Sequence, residues 1–119
     1  MISLIHNPRC SKSRQALEML TQYADQHDSA IEIIDYQKQP LDVAALTKLQ
    51  RELGLPVIEM LRSGESLLKE QNINLATLSD EELLALLAQH PLLLQRPIVI
   101  QGDRAIIARP PEVLHGWLT

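Results

Sequence analysis

The first apolar run, Ile2 to Ile5, stops at His6-Asn7-Pro8 and predicts a short buried strand. Apolar residues then return at helical spacing: Ala16, Leu17, Leu20, Tyr23 and Ala24. They predict a helix to about Gln26, which Ser11 or Ser13 can cap. Ala30 to Tyr36, rich in isoleucine, predicts a second strand, broken by Gln37 to Pro40. Asp42 can cap a helix bearing Ala45, Leu46, Leu49 and Leu53, and Gly54 is placed to end it. Pro56 to Arg62 predicts a short helix with the proline in its first turn, ended by Ser63-Gly64. Residues 65–78 show no firm period and are read as a short helical piece and a turn. Ser79-Asp80-Glu81-Glu82 spells a capping box ahead of Leu83, Leu86 and Leu87, and His90-Pro91 closes that helix. Pro97 to Ile100 and Arg104 to Ala108 flank Gln101-Gly102-Asp103 as a β-hairpin. Pro110-Pro111 opens a last helix, expected to reach about Leu118.

This order predicts an α/β fold with a mixed sheet. The first βαβ unit should be parallel with a right-handed crossover, and the hairpin antiparallel. The 119 residues fit a single domain, 1–119, without repeats or a linker. Composition adds that the core is aliphatic: 45% of residues are hydrophobic but only 3% aromatic, which excludes extended disorder. Eleven Lys and Arg against fifteen Asp and Glu leave a net charge of −4, the wrong sign for a general nucleic-acid binder. The longest wholly apolar run, Leu83 to Ala88, is six residues, against the roughly 18 that a membrane span needs. The N-terminus lacks the basic and apolar regions of a signal peptide. A cytoplasmic protein is expected, with no nucleic-acid or membrane partner, and a monomer is the simplest state.

The lone cysteine changes the picture. It excludes an intramolecular disulfide and a four-cysteine zinc site. Cys10 falls where the first strand hands over to the first helix, and a free cysteine is often only a small buried hydrophobe. Between Ile5 and Glu18, however, stand three cations, Arg9, Lys12 and Arg14, and no carboxylate. A helix N-terminus adds backbone N–H groups and the positive end of the dipole. Both favour the thiolate, so Cys10 is expected to be a nucleophile. Position 13, where a Cys-x-x-Cys dithiol would carry its second sulfur, is Ser13. A phosphatase loop of the low-molecular-weight kind would need arginine at position 16, which is Ala16. The thiol can therefore attack but cannot resolve its own adduct, and an external thiol must do so. The helix N-terminus makes an oxyanion the substrate that fits best.

His6-Asn7-Pro8-x-Cys10-x-x-Ser13-Arg14, Leu61-Arg62, Arg96-Pro97-Ile98-Val99 and Arg109-Pro110 together resemble the glutaredoxin-dependent arsenate reductase family. The resemblance runs over nearly the whole chain, in the same order. It implies a thioredoxin-like mixed sheet, a βαβ unit plus a C-terminal β-hairpin and helix, with a helical insertion. It also implies that Cys10 attacks arsenate, and that Arg62, Arg96 and Arg109 hold the oxyanion and its covalent adduct. Guanidinium forks match oxyanion oxygens bidentately and neutralise charge as the thiolate approaches. Each arginine falls at an element end or loop, so their convergence on one pocket is expected. His6 matches a position that assists thiolate formation, and Pro97 resembles the cis-proline facing the active-site cysteine of thioredoxin-like folds. Glutathione is implied as co-substrate and glutaredoxin as partner, with no metal and no tightly bound cofactor.

Other readings of the residues are simpler. His6 can be a strand-end histidine with a structural hydrogen bond, Arg14 a support for the loop, and Trp117 a core residue. Two rival functions share the fold. Spx-type transcriptional adaptors bind RNA polymerase, but they sense oxidation through a Cys-x-x-Cys pair that Ser13 removes. A relative acting on another thiol or oxyanion substrate would keep Cys10 and the arginines. The departures from the family pattern are Ile5 in place of a tyrosine before His-Asn-Pro, and the absence of a longer C-terminal tail.

Overall fold

The computed structural model describes residues 1–118. The chain forms two compact units, one of residues 1–39 with 96 onward, the other Pro40–Gln95.

The first unit is built on a four-stranded sheet of order β2-β1-β3-β4. Strand β1 (Ile2–His6) lies parallel to β2 (Ile31–Asp35), with Ile2 opposite Ile31 and His6 opposite Asp35. It is antiparallel to β3 (Ile98–Gln101), which turns into β4 (Arg104–Ile107). Ile2, Leu4 and Ile5 of this central strand are all buried, on both of its faces, and only Ser3 interrupts its apolar run. The hairpin turns through Gly102 at φ 65°, a left-handed conformation that glycine adopts without steric penalty. Helix α1 (Ser11–His27) buries Ser13, Ala16, Leu20 and Ala24, one face at three- and four-residue spacing. Ala16 and Leu20 pack with Ile2, Leu4, Val99, Ala108 and Leu114 as the core.

The fold class, a thioredoxin-like mixed sheet with a helical insertion, is as expected; several details are not. Strand β2 is an edge strand, and its Ile33 stays half-exposed. The expected last helix is a single 3-10 turn, Pro111–Leu114, followed by turns. Two prolines supply a helix start, but Gly116 takes φ 82°, which a helix cannot continue through. The segment is held by tertiary contacts instead. Leu114 is buried in the core, and Arg104 donates to the Trp117 carbonyl at 3.0 Å with its guanidinium 4.4 Å from the indole centroid. Trp117 packs on the edge of the core, half-buried, rather than inside it.

The second unit is the helical insertion. It contains α2 (Val43–Leu53), α3 (Ser66–Glu70) and α4 (Asp80–Gln89), joined by 3-10 turns at Val57–Met60, Leu75–Thr77 and Pro91–Leu93. The Asp42 carboxylate accepts from Ala45 N at 2.8 Å and caps α2, which Gly54 ends at φ 67°. Ser79 Oγ accepts from Glu82 N at 3.2 Å while Glu82 Oε1 accepts from Ser79 N at 3.0 Å, completing the capping box of α4. Ser79→Ala is expected to lower stability by about 1 kcal/mol. A thermal melt should show this as a fall of a few degrees. The helix expected from Pro56 to Arg62 is shorter, because Leu61 leaves it to form an antiparallel bridge with Leu94. Arg62 therefore sits beyond the turn, not within it. Among the described residues no helix is long and apolar enough to cross a membrane.

Candidate active site at the start of the first helix

The turn from β1 into α1 is shaped by Asn7, nearly fully buried. Its Oδ1 accepts from Arg9 N at 3.0 Å and its carbonyl from Cys10 N at 3.0 Å, closing a tight loop over Pro8. Arg14 Nη1 donates to the Pro8 carbonyl at 3.0 Å and braces that loop from the helix side. Cys10 is thereby fixed as the residue preceding α1, with extended φ and ψ, and it is partly exposed. Neither Ser11 nor Ser13 caps the helix, as the sequence had suggested. The N-cap position is Cys10 itself.

Ser13 has a different task. It is completely buried, and its Oγ accepts from Asn7 N at a long 3.4 Å. Burial pushes the Cys10 thiol pKa up, but hydrogen bonds outweigh it and hold the thiol below its ordinary value. They come from the backbone N–H groups of Ser13 and Lys12, the Ser13 hydroxyl and the Arg96 guanidinium. All four favour the anion over the thiol. The sulfur thus behaves as the helix-terminus argument requires, with Ser13 and Arg96 adding to the backbone. The Ser13 and Asn7 roles were not apparent from sequence. The available signal was their spacing, a serine three residues past the cysteine and an asparagine three before it.

Arg96 is almost fully buried and precedes a cis peptide bond to Pro97. The Arg109–Pro110 bond is also cis, which no sequence feature had indicated. Arg109 is exposed, and its Nη1 reaches the Arg96 carbonyl at 3.5 Å, a long contact. Cys10, Arg96 and Arg109 are accordingly linked within the first unit.

His6 is buried at the end of β1, opposite Asp35. Its pKa is lowered, chiefly by burial, with the Asp35 carboxylate opposing and Arg14 reinforcing the shift. The imidazole is therefore neutral at pH 7, and it is not among the groups acting on the Cys10 sulfur. Arg62 belongs to the second unit, where its Nε lies 3.2 Å from Glu65 Oε1. A cavity of about 850 Å³ in that unit is lined by Ser63, Glu65, Ser66 and Lys69 among others, and by none of the proposed catalytic residues.

A thiol held below its ordinary pKa at a strand-to-helix turn, in a sheet of this order, fits the thioredoxin-like class of fold. The ArsC family matches residues 5–116, and the chain belongs to that family. An arsenate reductase of Neisseria meningitidis serogroup A is 38% identical over 118 residues, covering 98% of this chain and 97% of that one. Protein YfgD of Escherichia coli K12, described as uncharacterized, is 38% identical over 112 residues, covering 93% of this chain and 91% of its own. The solved structure of an arsenate reductase from Vibrio cholerae superposes with a TM-score of 0.86 at 38% identity, covering 98% and 97% of the two chains. The family inferred from the four motifs is therefore the right one.

Proposed function

We propose that the protein is a thiol-dependent arsenate reductase whose nucleophile is Cys10. The observation that carries this reading is the Cys10 thiol, held below its ordinary pKa by the start of α1, by Ser13 and by the buried Arg96. Its setting within a family whose similar members are named arsenate reductase supplies the substrate. The Cys10 thiolate attacks arsenic. A sulfur–arsenic bond forms, an arsenic–oxygen bond breaks, and the oxygen leaves as hydroxide or, once protonated, as water. Arsenic is still pentavalent at this point, because displacement moves no net electrons onto it.

Arg96 and Arg109 neutralise the oxyanion as the thiolate approaches, and the family resemblance assigns Arg62 to the oxyanion as well. Neutral His6 is assigned to assisting thiolate formation on the family resemblance. Two external thiols then complete the reaction: the first displaces a second oxygen from arsenic as water, and the other attacks that first sulfur to form a disulfide. The broken sulfur–arsenic bond leaves its electron pair on arsenic, and water displaces Cys10 from trivalent arsenic to release arsenite. With a single cysteine in the chain, sulfur must come from outside. Glutathione is the co-substrate and glutaredoxin the recycling partner in this reading, and no bound cofactor is required.

The test supplies purified protein with inorganic arsenate, glutathione and glutaredoxin and measures arsenite. Formation well above the protein-free control is expected, falling to background when either glutathione or glutaredoxin is left out. Arsenite at background in the complete mixture would sink the proposal. Turnover that persists with thioredoxin in place of both thiol partners would overturn the choice of reductant while leaving the substrate intact.

A further inference from the structure

Arg62 is held twice within its own unit. Its backbone follows the bridge between Leu61 and Leu94, where Arg62 N donates to the Leu93 carbonyl at 2.7 Å and Gln95 N to the Met60 carbonyl at 2.8 Å. Gln95 Nε2 closes the same ladder on the Leu61 carbonyl at 3.2 Å. The side chain is then taken by Glu65 across the Ser63-Gly64 turn, Nε to Oε1 at 3.2 Å, with both side chains mostly shielded from solvent.

Two features of Glu65 stand out. It occupies the residue before α3, where a side chain ordinarily turns to the first N–H groups of the helix, yet it makes no such bond. Its carboxylate is committed to Arg62 instead. The contact is also made on the Nε side of the guanidinium, and among the described residues neither terminal Nη group has a hydrogen-bond partner. An arginine grips an oxyanion with two parallel N–H bonds, and the Nη1–Nη2 edge can supply both.

We infer that Glu65 is a positioning residue for oxyanion binding by Arg62. It pins the guanidinium by its Nε and leaves the Nη1–Nη2 edge open to the anion. Its own negative charge also offsets part of the arginine's, so the anion is held loosely enough to exchange. The inference rests on the proposed function, in which Arg62 binds arsenate.

Orientation and charge make opposite predictions for two substitutions. Glu65→Ala removes the pin and should weaken anion binding. Glu65→Gln keeps an acceptor oxygen for Nε while removing the charge, so it should restore or strengthen binding. The readout is the Kd of inorganic arsenate by calorimetry, with every variant carried on Cys10→Ser so that no turnover intervenes. A roughly tenfold weakening is expected for Glu65→Ala, equivalent to about 1.4 kcal/mol. Glu65→Gln should bind as tightly as the parent or several-fold tighter, and Arg62→Ala at least tenfold weaker. Adding Glu65→Ala to Arg62→Ala should cost nothing further, because the pin acts only through Arg62.

If Glu65→Ala binds like its parent while Arg62→Ala is weakened, the inference is overturned and the proposed function stands. Equal weakening by Glu65→Ala and Glu65→Gln also overturns it, since an acceptor at Nε would then not be what matters. Should Arg62→Ala bind arsenate like its parent, the assignment of Arg62 to the anion falls, and the inference with it.

Discussion

Replacing Cys10 with serine is expected to lower arsenite formation by at least about 1,000-fold, the scale on which losing a covalent nucleophile acts. The reason is in the ionisation, not the shape. The N–H groups of Lys12 and Ser13, the Ser13 hydroxyl and Arg96 bring a thiol below its ordinary pKa. A serine hydroxyl in the same cradle stays protonated at neutral pH and attacks nothing. The fold should survive the change. Cys10 is the N-cap of α1, and serine is among the residues preferred at that position. An unchanged or slightly raised Tm beside lost turnover would separate chemistry from folding.

The same thiol predicts a pH profile. Alkylation by iodoacetamide follows the thiolate, so its rate rises as pH climbs through the Cys10 pKa and levels off above it. Because that pKa is lowered, the midpoint should fall below the roughly 8.5 of free cysteine. Arsenate turnover should share this acid limb. A midpoint at or above 8.5 would make Cys10 a structural thiol and remove the basis for the proposed chemistry.

What could be read from the sequence was what neighbouring residues encode among themselves. Asp42 capping Ala45, the Ser79–Glu82 box, Gly54 closing α2 and the Gly102-Asp103 turn are all local devices, and all appear as expected. The Ile2 to Ile5 run reads as a buried strand because β1 has a neighbour on either side. The misread segments were decided from a distance. Arg62 is drawn out of its expected helix by a bridge to Leu94, more than thirty residues away. The C-terminal segment is fixed by Arg104 and by burial of Leu114, so a plausible helix start at Pro110-Pro111 did not determine its course.

The site divides in the same way. Cys10 announced itself through its cationic neighbours and its place at a helix start, both local. Ser13 looked like a missing second sulfur or a cap. Only the folded turn, with Asn7 N–H on one side of its hydroxyl and the Cys10 sulfur on the other, shows it as a donor to the thiolate. Arg96 carried no sign of its burial, since a buried cation opposite a thiol is a property of the sheet and not of the stretch around it.

Arg96→Ala should have the next largest effect, a drop in kcat/KM of about 100- to 1,000-fold, the usual result of removing one charged donor from a developing anion. Arg96 has two functions in the proposed reaction, and pH separates them. It stabilises the resting thiolate, so its loss should raise the Cys10 pKa and move the alkylation midpoint upward. It also offers its fork to the incoming oxyanion, which no change of pH can replace. Working above the raised midpoint should therefore recover the part of the defect due to lost thiolate and leave the rest. Arg96→Lys sharpens the division. It keeps a positive charge near the sulfur and should hold the midpoint close to wild type, but a single ammonium cannot bond two oxygens in parallel. Most of the fall in kcat/KM should remain. Arg109→Ala should be milder, because its guanidinium is exposed and meets the Arg96 carbonyl only at 3.5 Å. If Arg96→Ala leaves both the alkylation midpoint and kcat/KM unchanged, Arg96 serves neither the thiol nor the anion, and its burial beside Cys10 is purely structural.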